Sequence, residues 1–155
     1  MRTAYKVKID MNEFLGNNQI DYILFFYGLA FIMLAVICLA LIQQKNELLP
    51  WNWLGAFGGL HGFQEWIAMI SVGYAGSLPV GDLRVAMSAI SFVLLFEFGL
   101  RCFAAAEKPR RFFYIPLIVA TALGGMKGLE GIDAASRYAF GLTGGLLAAW
   151  ALYRA

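Results

Sequence analysis

The stretch YILFFYGLAFIMLAVICLALIQ, from Tyr22 to Gln43, decides the fold class of this chain. It contains no charged side chain, and a helix of about 20 apolar residues is long enough to cross the hydrocarbon core of a bilayer. The stretch therefore predicts a transmembrane helix.

The composition of the whole chain extends this prediction. Hydrophobic residues make up 61% of the sequence, charged residues 14%, and the mean hydropathy is +0.68. These values are typical of an all-α polytopic membrane protein, and 155 residues leave room for about five spans of 20 residues. We predict a polar extracytoplasmic segment at 1–20 and a five-helix transmembrane domain at 21–155. The predicted spans are 22–43, 51–73, 83–105, 112–129 and 136–153, and EGIDAASR is interpreted as a loop in which Asp133 caps the next helix.

The positions of the basic residues predict an orientation. The densest positive cluster comprises Lys108, Arg110 and Arg111, in the short loop between spans three and four. Such loops stay on the cytoplasmic side, so we predict that Met1 lies outside and Ala155 inside. The formal net charge of +2 is too small to indicate a nucleic-acid partner.

The second span carries polar side chains that an ordinary span lacks. His61, the only histidine in the chain, and Glu65 are four positions apart, so they share one helix face, with Gln64 at its edge. A charged carboxylate facing lipid costs about 2.5 kcal/mol or more at the centre of a span. We therefore expect Glu65 to face the bundle interior.

Two interpretations of this face stay open. One is an interhelical hydrogen bond that locks the bundle. The other is a small polar pocket for a ligand, a proton or a metal, with Gln64 and Trp66 at its margins. In the second case, Gly58 and Ala68 on the same face would leave space, and the imidazole would titrate near physiological pH.

Span three adds Glu97 and Arg101, an acid four positions before a base. A local ion pair is one interpretation; the other has Glu97 facing His61 across the bundle. Lys127, Glu130 and Asp133 lie near a span end and are interpreted as a solvated interfacial face.

Glycines recur at helical spacing and predict close helix packing or a dimer contact. The predicted packing residues are Gly55, Gly59, Gly62, Gly124, Gly128, Gly141 and Gly145.

The cofactor, if one exists, stays unknown from sequence. Haem bound by two histidines within the chain is excluded by the single histidine, although His61 could pair with Met69, Met87 or Met126. Zinc sites use about four ligands, whereas His61, Glu65 and Glu97 supply at most three. Cys38 and Cys102 fall in apolar runs and are expected to be inert core residues.

Three segments together resemble a membrane region found at the amino terminus of bacterial sensor histidine kinases and diguanylate cyclases. WLGAFGGLHGFQEWIAMI resembles its HG-x-x-EW segment, LLFEFGLRC its LLEFGRR motif, and SRYAFGLTGGLLAAWALYR its closing segment. The resemblance covers about Tyr22 to Tyr153. The matching positions are His61, Gly62, Glu65, Trp66, Glu97, Gly99, Arg101, Arg137 and Tyr138.

This resemblance implies a sensory module of a two-component or related system in the bacterial inner membrane. It would relay a signal to a cytoplasmic signalling domain or partner, and would itself contain no catalytic residue. We expect lipid as its surroundings and a homodimer or larger complex as its assembly. Two alternatives are an accessory subunit packed against a larger membrane complex, and a small redox or proton-handling membrane protein.

Overall fold

The computed structural model describes residues 2–44, 49–73, 80–103 and 111–155, and within them the side chains of 19–44, 49–70, 81–103 and 112–155. Every secondary-structure element in these ranges is helical, so the chain is all-α as predicted. The helices are α1 (Arg2–Gln43), α2 (Trp51–Gly73), α3 (Val80–Phe103), α4 (Arg111–Gly124), α5 (Leu129–Ser136) and α6 (Thr143–Arg154). The basic residues Lys108 and Arg110 lie outside the described ranges, as does the side chain of Arg111.

Helix α3 is the centre of the fold. It packs against α2 on one side and against α6 on the other, and α1 packs on α2. Trp53 contacts Arg101 while His61 contacts Ser91, so α2 and α3 are antiparallel. Phe92 meets Gly141 and Phe96 meets Gly144, so α3 and α6 are parallel.

The predicted loop EGIDAASR is wrong, because these residues are helical from Leu129 onward. Gly128, with a φ of +80°, precedes α5, and Asp133 lies inside the helix instead of capping it. The Asp133 carboxylate pairs with Arg137 four residues later, at 2.8 Å. Gly131 allows the α5 backbone to approach Gly124 of α4 closely. In this segment Asp133 therefore forms an ion pair within the helix, and Gly131 allows α5 to cross α4 closely.

Helices α5 and α6 are joined without a turn by a π-helical segment, Arg137–Leu142. Together they form one continuous helical rod from Leu129 to Arg154. A π segment widens the helix and shifts the face that the following residues present.

Helix α1 begins at Arg2, so the amino-terminal segment predicted as a polar tail continues into the first span as one helix. The fourth predicted span is divided between α4, which contains Pro116, and a 3₁₀ turn at Gly125–Lys127.

Two of the described helices contain segments that are long and apolar enough to cross a membrane, Gln19–Gln43 and Gly81–Phe103. Phe112–Lys127 is apolar but shorter. Many large apolar side chains point away from the bundle, and at least half of the surface of each of the following is exposed: Tyr22, Ile23, Phe26, Met33, Leu39, Ile115, Ile118, Leu123 and Leu146.

Candidate functional site

The α2 side chains singled out from sequence are buried between helices. His61 is 4% exposed and Gln64 is 3% exposed, while Glu65 is partly buried. The i, i+4 spacing places His61 Nε2 3.8 Å from Glu65 Oε1. Gln64 Nε2 donates to the same carboxylate oxygen at 3.3 Å. Three predicted residues therefore share one polar contact region inside the bundle.

The partner of His61 on α3 is Ser91, which sequence reasoning missed. His61 Nδ1 lies 2.9 Å from Ser91 Oγ, and the Ser91 hydroxyl donates to the carbonyl oxygen of Ser88 at 2.7 Å. Ser88 and Ser91 are three positions apart in an otherwise apolar segment, and both are buried. That spacing is the sequence signal that could have identified them. We call His61, Gln64, Glu65, Ser88 and Ser91 the His61 cluster.

Aromatic rings enclose the imidazole on its remaining sides. The ring centroids of Phe31, Phe57 and Phe92 lie 4.5, 5.3 and 5.2 Å from that of His61, and that of Tyr27 lies at 6.2 Å. These rings come from α1, α2 and α3, so His61 is held where three helices meet. An imidazole in this environment has a fixed orientation, and its hydrogen-bonding atoms can reach only a few neighbours.

The space next to His61 is filled by α1, which corrects one expectation. A Cβ built on Gly58 would lie 2.7 Å from the carbonyl oxygen of Phe31, and one on Gly62 would lie 2.6 Å from that of Gly28. The absent side chain of Gly58 thus admits the α1 backbone and does not open a pocket. Gly55 and Gly59 of α2 likewise face α1, at Cys38 and Ala35 respectively.

Trp66 binds α1 and does not line a pocket beside His61. Its Nε1 donates to the carbonyl oxygen of Phe25 at 3.2 Å, and its ring stacks on Phe25 with centroids 6.2 Å apart. The indole lies against Gly28, where a Cβ would come within 2.6 Å of it. Gly28 was missed from sequence because a single glycine in an apolar span has no spacing pattern.

Glu97 and Arg101 form a second polar group, further along α3. Arg101 Nε donates to Glu97 Oε1 at 2.6 Å, and the Tyr114 hydroxyl of α4 donates to Glu97 Oε2. The Arg101 guanidinium also lies over the Trp53 ring, 4.4 Å from its centroid. We call Glu97, Arg101, Tyr114 and Trp53 the Glu97 cluster. Ser91 and Glu97 are six residues apart on α3, so the two clusters lie about 9 Å apart along the axis of this helix.

The remaining predicted packing glycines behave differently from one another. Gly124 packs on α5 and Gly141 on Phe92, but a Cβ on Gly128 or Gly145 would meet no atom within 4 Å. Gly144 takes the place expected for Gly145, since a Cβ there would lie 2.8 Å from the Phe96 backbone nitrogen. Positions three and four apart both lie near one helix face, and here the residue three after Gly141 makes the contact.

A cavity of about 770 Å³ lies near the amino-terminal end of α3, beside α5 and the π segment. Its lining includes Asp82, Arg84, Glu130, Asp133, Arg137 and Tyr138. Of the residues interpreted as a solvated interfacial face, Glu130 and Asp133 line this cavity.

Within the part of the chain that the structure describes, no group of three or more His, Cys, Asp or Glu side chains could hold a metal ion. Comparison of the chain with protein-family models, curated proteins and solved structures found no match. The function is therefore argued from the two clusters and their surroundings.

Proposed function

We propose that this chain is a membrane-embedded sensory module that detects a signal in or near the bilayer and relays it to a cytoplasmic output domain or partner. The observation that carries the proposal is the His61 cluster, a set of buried polar side chains where α1, α2 and α3 meet. Polar and ionisable groups within a membrane bundle are costly, and they commonly mark a site of function.

The surroundings of the cluster support its place in a membrane. The exposed side chains of α1, α4 and α6 are largely apolar, and lipid is the medium in which such surfaces are stable. In this proposal α1, α2, α3, α4 and the rod α5–α6 supply the five spans. Five spans of alternating direction would leave the two chain ends on opposite sides of a bacterial inner membrane, and we propose that Ala155 lies on the cytoplasmic side.

The Glu97 cluster suits a structural role in this module. Both carboxylate oxygens of Glu97 accept hydrogen bonds, from Arg101 and Tyr114, so α3 is joined to α4 at this level. In the His61 cluster the contacts to Glu65 are longer, at 3.3 and 3.8 Å. A ligand or proton can change such contacts at less cost than a fully formed ion pair.

The route from the cluster to the cytoplasm runs through α3 and α6. Ser91 anchors His61 to α3, and Phe92, the next residue, lies against both His61 and Gly141 of the π segment. A displacement of His61 would therefore reach the rod that ends at Arg154. The matching motif residues of the sensor-kinase membrane region, His61, Glu65, Glu97 and Arg101, occupy the two clusters, which also favours this function.

The test is a fusion in which Ala155 continues in helical register into a histidine-kinase catalytic module, assayed in vesicles. Coupling energies of 1–3 kcal/mol correspond to about 5- to 150-fold changes. We expect His61→Leu to change basal autophosphorylation at least about five-fold. Leu146→Ala, on an exposed face of α6, is the control and should change nothing. Equal activity of wild type and His61→Leu, with both folded, would contradict the sensory role.

The orientation has its own test. Ser77→Cys and Lys108→Cys, each made in a background without Cys38 and Cys102, can be labelled in intact cells with a membrane-impermeant thiol reagent. Position 77 should react from outside and position 108 only after the membrane is opened. The reverse pattern would contradict the proposed topology.

A further inference from the structure

The hydrogen bonds of Ser91 determine which nitrogen of His61 carries a proton. A serine hydroxyl has one hydrogen. Ser91 uses it on the carbonyl oxygen of Ser88, at 2.7 Å. Its oxygen can therefore only accept from His61 Nδ1, at 2.9 Å, so Nδ1 is the protonated nitrogen. The lone pair or second proton of the ring is then on Nε2.

His61 Nε2 faces Glu65 Oε1 at 3.8 Å. If Nε2 carried only its lone pair and Glu65 were ionised, two acceptors would face each other in a buried site. That arrangement leaves Nε2 without a donor and leaves a partly desolvated carboxylate charge with only the Gln64 amide as its hydrogen-bond donor. A proton between the two groups removes the conflict, whether it resides on Nε2 or on the carboxylate.

Two buried polar atoms of the His61 cluster have no hydrogen-bond partner among the described residues. They are Gln64 Oε1 and Ser88 Oγ. Gln64 is bonded to Glu65 through its Nε2. The antiparallel pairing of His61 with Ser91 places Gln64 and Ser88 at one level, one turn after His61 on α2 and one turn before Ser91 on α3. Buried polar atoms of this kind are usually satisfied by an internal water, which needs two to four polar partners.

We propose that His61 and Glu65 form a proton-binding site in which Nδ1–H is donated to Ser91 and one further proton is shared between Nε2 and the Glu65 carboxylate. A water bound by Gln64 Oε1 and Ser88 Oγ satisfies these two atoms, one turn from His61 and Ser91. The ligand of the His61 cluster is then a proton. This deepens the proposed function by naming the ligand of its site.

Charged and titratable groups from each neighbouring element act on the pair. Tyr27 of α1 lies beside the His61 ring. Arg84 of α3, Arg137 of the π segment and Asp133 of α5 act on Glu65. Arg84, Asp133 and Arg137 also line the cavity at the amino-terminal end of α3.

The test uses the single histidine of the chain, since ¹⁵N-histidine labelling of the protein in lipid vesicles gives the signals of one imidazole. We expect Nδ1 to be protonated at neutral pH. We further expect either a protonated Nε2, or the infrared carbonyl band of a protonated carboxyl that disappears in Glu65→Gln. An unprotonated Nδ1 would overturn the proposal, and so would a bare Nε2 without that band.

Ser91→Ala should change the imidazole spectrum, because Nδ1–H loses its acceptor: a neutral ring becomes a mixture of tautomers, and in a doubly protonated ring the Nδ1 signal shifts. Ser136→Ala is the matched control, since Ser136 is also buried and donates to a carbonyl oxygen of its own helix, that of Asp133. It should leave the imidazole spectrum unchanged. An unchanged spectrum in Ser91→Ala would overturn the role of Ser91. These spectra can fail while the kinase fusion still responds to His61→Leu, so the two proposals fail separately.

Discussion

Glu65 and Glu97 are both carboxylates on helix faces that point into the bundle, yet their surroundings differ. Glu97 is bonded at both oxygens, by Arg101 and by Tyr114, and the Arg101 guanidinium is itself stacked on Trp53. The contacts of Glu65 are a 3.3 Å hydrogen bond from the adjacent Gln64 and a 3.8 Å approach to His61. The first arrangement joins three helices, whereas the second leaves room for a proton to move. The same residue type is thus structural in one cluster and a candidate for function in the other.

The largest effect should come from pushing α6 away from α3 beside Glu97. Gly144→Leu would place a side chain against the backbone of Phe96, where even a Cβ would approach to 2.8 Å. Overpacking of this kind typically costs about 1–3 kcal/mol, and rigid backbone as the neighbour favours the upper end, about 3 kcal/mol. The measurement is the free energy of unfolding in detergent micelles. Gly145→Leu, whose Cβ would meet nothing within 4 Å, is the control; equal losses in both would refute the packing assignment.

Removing the charge of Glu97 should have the next largest effect. Glu97→Gln weakens the hydrogen bonds from Arg101 and Tyr114, and hydrogen bonds to charged groups contribute about 1.5–3 kcal/mol. Because Arg101 is about one-third exposed, we expect a loss of about 2 kcal/mol in the free energy of unfolding. A loss below about 0.5 kcal/mol would mean that the Glu97 cluster does not stabilise the bundle.

The corresponding change at Glu65 should be milder. Glu65→Gln keeps the shape of the side chain and gives up only long contacts, so we expect a change below about 1 kcal/mol. Unfolding in the same micelles provides the comparison with Glu97→Gln. If the Glu65 variant were the less stable of the two, the assignment of structural and functional roles would be reversed.

The smallest effect concerns the aromatic partner of the Glu97 cluster. Trp53→Phe keeps an aromatic ring against the core but places a weaker cation–π partner beneath the Arg101 guanidinium, and cation–π contacts at exposed sites contribute about 0.5–1 kcal/mol. A loss of that size is expected by thermal unfolding. Tyr153→Leu is a suitable control because Tyr153 is 83% exposed, and it should show no loss.

Much of the helical architecture could be predicted from the sequence. The uncharged stretch at Tyr22–Gln43 and the proline before Trp51 locate α1 and α2, and the structure begins α2 at Trp51. The segment at 130–137 could not be predicted, because Asp, Gly and Ser are typical of loops. They form a helix here through a tertiary crossing at Gly124, which no local pattern shows, and the i, i+4 ion pair of Asp133 with Arg137 supports that helix.

The site was predictable only within each helix. The i, i+4 relation of His61 to Glu65, and that of Glu97 to Arg101, follow from helical geometry. The partners contributed by other helices, Ser91 for His61 and Tyr114 for Glu97, depend on the register between helices, which sequence periodicity does not determine. The same register decides between Gly144 and Gly145, three and four positions after Gly141, and it is Gly144 that contacts α3.

The most direct test of the difference between the two carboxylates is a single measurement on two variants of the kinase fusion. Autophosphorylation is compared in Glu65→Gln and Glu97→Gln, after each has been normalised to the folded fraction measured by unfolding. If Glu65 is the functional carboxylate and Glu97 the structural one, activity per folded molecule changes at least about five-fold in Glu65→Gln and almost not at all in Glu97→Gln. Unchanged activity in Glu65→Gln, or an equal change in both variants, would contradict this difference in roles.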